Sequence, residues 1–171
     1  IFFQGGPGYE SPRPLTNSGW IQRASEDYKV LLIDQRGTGL STPIDSNNMK
    51  NLSDQELADY LTFFRADNIV RDAEHIKKHL IGENKWSVLG QSFGGFCAMH
   101  YVSFFPDSLE KVFITGGLPP LDAHPDDIYR ATFKRVIEKN KLFFKIFPKA
   151  KKVMNKIAKY LEEYKVALPN G

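Results

Sequence analysis

Trp86 to Phe105 reads WSVLGQSFGGFCAMHYVSFF, and this stretch decides the fold. Ser87-Val88-Leu89 is the end of a buried strand, and Phe96 to Phe105 is a mostly apolar helical run. Between them lies Gly90-Gln91-Ser92-Phe93-Gly94, a serine set on a sharp strand-to-helix turn. A residue perched there has strained backbone angles, and its neighbours two positions away must lack bulk. Gly90 and Gly94 satisfy that demand, and Gly95 adds clearance. The pattern suits an exposed nucleophile. The alternative is a glycine turn with an incidental serine, and the strand before and helix after favour the nucleophile.

Working outward, the chain of 171 residues, 42% hydrophobic, has enough apolar content to bury a core. It opens on Ile1-Phe2-Phe3, read as the tail of a strand already under way. It closes on Leu168-Pro169-Asn170-Gly171 after a lysine-rich helical segment. Together these ends suggest an internal fragment of a longer protein. No apolar run approaches the length of a membrane span, and no signal peptide can be read. The single cysteine, Cys97, is compatible with a reducing compartment, so a cytoplasmic location is expected. Within the helix after Ser92 it reads as a small core residue rather than a second nucleophile.

The net charge of +3 is too small to argue for a nucleic-acid partner, but it is unevenly spread. Residues 1–119 carry 11 basic and 14 acidic residues, net −3, whereas residues 120–171 carry 12 and 6, net +6. A domain boundary is therefore expected at Pro119-Pro120.

Before the serine, Gln4-Gly5-Gly6-Pro7-Gly8 follows the first strand. Such a loop leaves N–H groups free to hold an oxyanion, although alone it is no more than a tight turn. Glu10 to Thr16 is irregular, and Ser18 to Ala24 reads as a short helix carrying Trp20 and Ile21 inward. Tyr28 to Ile33 is a continuous apolar run, the signature of a strand buried on both faces of a parallel sheet. Asp34-Gln35-Arg36-Gly37-Thr38-Gly39-Leu40-Ser41 follows at its carboxyl end, where ligand sites of open α/β sheets lie. An internal ion pair that shapes this loop is the favoured reading of Asp34 and Arg36, ahead of substrate contact.

Ile44 to Lys50 reads as polar linker, and Ser53-Asp54-Gln55-Glu56 as a capping box that starts a helix. Ile69, Ala73, Ile76 and Leu80 keep helical spacing on a second helix, capped by Asp67 and ending at Gly82. His75 and His79 lie four apart on it, but Lys77 and Lys78 between them indicate a solvated face rather than a metal site. Pro106-Asp107 stops the helix after Ser92. Lys111 to Thr115 reads as another buried strand, ending in Gly116-Gly117-Leu118-Pro119-Pro120. This rhythm is that of a doubly wound, mostly parallel α/β sheet. From Leu121 onward the chain is helical and basic. Its apolar positions fit the inner face of a helical lid better than a membrane-binding or nucleic-acid-binding surface.

Taken in order, Gly5-Gly6-Pro7-Gly8, the Asp34 to Ser41 loop, Gly90 to Gly95 and Thr115 to Pro120 resemble the motif set of the proline iminopeptidases. These are serine peptidases of the α/β-hydrolase fold, and the similarity covers essentially residues 1–120. Gln4 is a departure, because that family often has histidine before the glycines; it marks a divergent branch. The resemblance implies a partial hydrolase core over residues 1–119 and a partial helical cap over 120–171. It also implies Ser92 as nucleophile, with Phe93 N–H and an N–H of Gly5 or Gly6 holding the oxyanion. The implied substrate is a peptide with a free amino terminus, with no cofactor, no metal, no nucleic acid and no membrane. The fold's chain order is serine, acid, histidine. His75 and His79 precede Ser92, His100 shares its helix and His124 starts the lid, so acid and base are expected beyond Gly171 and this fragment alone is expected to be inactive. Glu138, Glu162 and Glu163 read as surface helix pairing rather than as ligands of the substrate's ammonium. Two other readings stay open, an esterase-like hydrolase and a non-enzymatic binding protein of this fold.

Overall fold

In the computed structural model, which describes residues 1–16, 19–45 and 49–166, the glycine-flanked stretch divides into a strand and a helix with Ser92 alone between them. The strand, β2 (Trp86–Gln91), is the middle of three parallel strands. On one side β1 (Phe2–Phe3) sets Phe2 opposite Leu89 and Phe3 opposite Gly90. On the other, β3 (Leu109–Thr115) sets Leu89 opposite Phe113 and Gln91 opposite Thr115. Parallel neighbours need crossovers. Those between β1 and β2 include α1 (Gly19–Asp27), α2 (Asp54–Leu61) and α3 (Ala66–Ile81), and α4 (Phe93–Phe104) joins β2 to β3. The result is an open parallel sheet with helices, the expected α/β class.

Tyr28 to Ile33 does not form the expected full strand. Leu32 alone pairs, as an isolated parallel bridge to Phe2, whose N–H donates to the Leu31 carbonyl at 2.9 Å. Leu31 to Ile33 are half-buried rather than buried on both faces. The cause is β1, which is two residues long before the glycine loop turns it away, so a longer ladder finds no partner. The bridge nonetheless shows the winding. From β1 the chain steps to one side at Leu32, then crosses to β2 on the other, so the strand order reverses at β1. Loops flanking such a reversal diverge and leave a crevice at the carboxyl ends of the strands.

The core is assembled from Phe3, Val88, Ile69, Val70, Ala73, Cys97, Ala98 and Tyr101. Helix α3 starts at Ala66 with Arg65 as its cap, so Asp67 is not the cap residue. Asp67 lies in the first turn, where its charge favours the helix dipole. Its buried face runs through Ile69, Val70, Ala73, Glu74 and Lys77, whereas Leu80, expected inside, is 56% exposed. Two polar side chains occupy the inner face because their heads find partners. Glu74 Oε1 accepts from Tyr101 Oη at 2.5 Å, and Trp86 Nε1 donates to the same hydroxyl at 2.9 Å. Lys77 lays its stem along the core and reaches the Gly82 and Asn84 carbonyls at 3.4 and 3.3 Å. His75 and His79 are exposed.

Other boundaries follow local chemistry. Ser53 N–H donates to Glu56 Oε2 at 2.8 Å and Glu56 N–H to Ser53 Oγ at 3.4 Å, closing the capping box of α2. Helix α1 runs to Asp27, beyond Ala24, and no residue on it is fully buried; Trp20 is 37% exposed, though its ring packs 4.7 Å from Phe2. Among the described residues β3 pairs only with β2, and Phe113 is 47% exposed, where the sequence predicts a buried strand. Ser18 and residues 46–48 of the expected linker lie outside the described residues.

By contacts the chain divides into Ile1–Pro119 and Pro120–Gly171. The second unit holds α5 (Pro125–Ile146), capped by the His124 side chain, and α6 (Pro148–Glu163). Pro148 cannot continue α5 and suits the first turn of the next helix. No residue of either helix is buried, and Ile128, Phe133, Ile137, Val153 and Ile157 all stand open. No helix among the described residues is long and apolar enough to cross a membrane.

The buried phenol provides a test of the core. Tyr101→Phe leaves Glu74 and Trp86 without their shared partner, and is expected to lower stability by about 1–3 kcal/mol in urea unfolding. An unchanged unfolding midpoint would show that the hydroxyl contributes nothing.

Candidate active site

Ser92 has φ 53° and ψ −118°, and among the described residues only Thr42 shares a positive φ without being glycine. Such a conformation persists only when the surroundings over-determine it. Here Ser92 N–H donates to the Thr115 carbonyl of β3 at 2.8 Å, and Ser92 C=O accepts from Gly95 N–H at 2.8 Å in the first turn of α4. One side of the residue is tied to the sheet and the other to the helix, leaving the side chain exposed.

The glycines let these backbones meet. A Cβ on Gly90 would collide with the Gly94 carbonyl, and one on Gly94 with the Phe3 carbonyl of β1. A Cβ on Gly95 would lie 2.7 Å from the Gly117 carbonyl, and one on Gly117 would strike the carbonyl of Ser92 itself. Gly117 is thus part of the same construction. In the sequence it stood within the Thr115 to Pro120 motif at a strand end, without a signal tying it to the serine.

The loop after β1 approaches from the other side. Gly5 is buried, and a Cβ built on it would sit 2.9 Å from Ser92 Cβ and 3.6 Å from Oγ. Gly6 has φ 127° and faces Gly8 and Tyr9 instead. Gly5 therefore packs directly against the serine, with Gly6 next to it in the loop. The N–H groups of Gly5 and Gly6 make no hydrogen bond among the described residues, and Phe93 N–H opens α4 without a side-chain cap.

Asp34 and Arg36 do not pair with each other. Asp34 accepts from Ser11 N–H at 2.9 Å and Leu40 N–H at 2.8 Å, and forms an ion pair with Arg13. Burial alone would raise its pKa, but the bonds from Leu40, Arg13 and Ser11 outweigh that and hold the carboxyl below its usual range. Arg36 turns the other way. Its Nε and Nη2 grip Asp72 of α3 at 2.6 and 2.5 Å, and Nη1 donates to the Phe63 carbonyl at 2.8 Å. The turn beginning at Arg36 separates the two side chains, so one loop is anchored in two directions. Arg13 and Asp72, the true partners, are 21 and 36 residues away from the groups they hold, beyond the reach of local pattern.

A family model described as alpha/beta hydrolase fold matches residues 1–163. The chain belongs to the alpha/beta hydrolase fold family. Over its whole length it is 52% identical to a proline iminopeptidase of Aeromonas sobria and 42% identical to one of Aspergillus aculeatus, and it spans 40% of the length of each. A proline iminopeptidase of Arabidopsis thaliana is 30% identical over 68% of the chain. These relatives bear the name of the family that the motif set resembles.

Within this hydrolase-fold chain, Ser92 Oγ makes no hydrogen bond among the described residues. The histidines are engaged elsewhere or stand in solvent: His100 stacks on Phe104 at 4.3 Å, and His124 Nδ1 accepts from Asp126 N–H at 3.3 Å. Cys97 is fully buried, and burial pushes its thiol up to about 12, so it is no nucleophile at neutral pH. Among the described residues no group of three His, Cys, Asp or Glu side chains is arranged to hold a metal.

The Asp34 anchor has a pH signature. Its lowered pKa means that its stabilisation is present above the unfolded carboxyl value, about 4, and is lost as pH falls through the lower folded value. Asp34→Asn is expected to cost about 1–3 kcal/mol at pH 7. The gap to the unsubstituted protein should narrow as acid protonates Asp34. A gap in thermal midpoint that stays constant from pH 7 to pH 2 would contradict this.

Proposed function

We propose that these residues belong to a serine aminopeptidase of the proline iminopeptidase type, which releases an amino-terminal proline or other small residue from peptides. The observation that carries the reading is the exposed, strained Ser92 beside the free N–H groups of Phe93 and the glycine loop, in a chain 52% identical throughout to a proline iminopeptidase. Ser92 Oγ attacks the carbonyl carbon of the amino-terminal residue and gives its proton to a base. The oxygen that becomes negative is held by Phe93 N–H and an N–H of Gly5 or Gly6, each worth roughly 3–4 kcal/mol by the cost of deleting such a donor. Collapse, with the base returning its proton to the leaving nitrogen, expels the amine of the second residue and leaves an acyl-enzyme that water hydrolyses.

A serine hydroxyl at its ordinary pKa needs a base oriented by a carboxylate. We place both beyond Gly171, because the fold orders its triad serine, acid, histidine and the four histidines of this chain are otherwise disposed. Residues 1–119 form part of the hydrolase core and 120–171 part of a helical cap, whose open apolar faces on α5 and α6 are its inner surface. The change in charge and the division of contacts at Pro119 support that boundary. A peptide with a free amino terminus is the substrate, and the buried, unpaired Cys97 is compatible with the cytoplasm.

Full-length protein is expected to hydrolyse proline-naphthylamide and to be labelled by a fluorophosphonate. Ser92→Ala should remove the labelling and lower turnover by about 10,000-fold or more. Hydrolysis of a p-nitrophenyl ester without the amide would make it an esterase. Residues 1–171 alone should label weakly; strong labelling that vanishes in Ser92→Ala would put the base inside this chain.

A further inference from the structure

Away from Ser92, α2 carries a face that the site as described does not use. Glu56, Asp59, Tyr60 and Phe63 recur at intervals of three and four residues, so they share one side of α2 and of the turn Thr62–Phe64 that extends it. That side lines a cleft of about 560 Å³, and small-molecule sites run from roughly 300 to 1,000 Å³. Ile44, Met49 and Leu52 line much of the remainder, and among the described residues no basic side chain does.

The walls are fixed in place. Ile44 N–H donates to the Gly37 carbonyl at 2.9 Å, and Gly37 N–H to the Ser41 carbonyl at 3.2 Å. A Cβ on Gly37 would lie 2.8 Å from both Ile44 Cδ1 and Phe64 Cδ1, so glycine there lets the loop close on the end of the helical segment. Within that closed loop Thr42, which also lines the cleft, is held at φ 51°. For a β-branched residue this is an outlier that persists only where the surroundings impose it. Tyr60 meets the edges of Phe64 at 5.1 Å and Phe63 at 6.5 Å, yet remains exposed.

Two carboxylates open onto these apolar walls. Glu56 Oε2 accepts from Ser53 Oγ and Ser53 N–H, which hold the carboxyl below its usual range and keep it ionised at neutral pH. Asp59 Oδ1 accepts from Gln55 Nε2 at 2.9 Å. Neither has a cationic partner among the described residues. Negative charge beside aromatic rings suits a cation whose remaining surface is apolar. The charge meets carboxylates and ring faces, while the body leaves water against the aliphatic side chains.

We propose that the cleft lined by Ile44, Leu52 and the Glu56–Phe63 face is a binding site for a small organic cation, an ammonium group on an apolar body. It shares no residue with the construction around Ser92, and it does not depend on the reaction assigned to that serine.

The test is calorimetric titration of full-length protein with benzyltrimethylammonium, for which a Kd of about 0.1–1 mM is expected. Benzyl alcohol, which keeps the ring and lacks the charge, should bind at least about five-fold weaker. Tyr60→Leu and Phe63→Leu should each weaken the cation about two- to ten-fold. Asp59→Asn should weaken it about two- to five-fold at low salt, and that loss should shrink as salt is raised. Asp59→Asn is isosteric at an exposed position, so it carries the test if the ring variants are not recovered folded. Full affinity in folded Asp59→Asn and Tyr60→Leu would put the cation elsewhere and overturn the proposal. Equal affinity for benzyl alcohol would overturn it too, as would no detectable binding, the result expected if another segment of the full chain fills the cleft.

Discussion

Main chain pressed on main chain around Ser92 is the constraint from which the rest of Ile1–Pro119 follows. Gly90, Gly94, Gly95 and Gly117 have no side chains, so the first turn of α4 settles onto the ends of β1 and β2 and against the segment after β3. With that approach closed, the hydrogen bonds from Ser92 N–H to Thr115 and from Gly95 N–H to Ser92 hold the serine at positive φ. A methyl group at Gly94 alone would force the helix off the Phe3 carbonyl and release both restraints. The apolar core beneath, from Phe3 through Val88 to Cys97 and Ala98, holds the same elements together from the other side.

A second layer of restraint is polar and reaches the site from a distance. Asp34 gathers Arg13, Ser11 and Leu40, while Arg36 fastens the same loop to α3 through Asp72. Gln35, between them in sequence, faces inward to the Gln4 carbonyl. Three consecutive side chains therefore brace three different neighbours, and the glycine loop beside Ser92 is held without any side chain of its own. The buried Glu74 and Tyr101 and the half-buried Trp86 do the same work below, fixing α3, α4 and β2 to one another through a single hydroxyl.

Where pattern and structure part, the missing term is a partner. Leu80 has the right spacing for the inner face of α3, but Lys77 and Glu74 take that face because carbonyls and a phenol wait there for their heads. Tyr28 to Ile33 is apolar enough for a central strand, yet β1 offers it two residues to pair with. Lys111 to Thr115 has the composition of a buried strand but, among the described residues, is paired on one side only. Asp34 and Arg36, two residues apart and opposite in charge, invite pairing until a turn sends them to Arg13 and Asp72.

Local covalent rules made other features legible. Strand, glycine-flanked serine and helix follow from steric limits that act within five residues, and the capping box of α2 closes within four. The α/β class follows from the alternation of apolar runs with helical periodicity. What the sequence by itself determined is therefore the elbow at Ser92, the helices with strong caps and the class of the sheet. Only the tertiary structure decided that Gly5 packs against the serine, that Gly117 underlies it, and which charges anchor the loops. Each of these is a contact between segments tens of residues apart, set by how the elements pack rather than by any spacing along the chain.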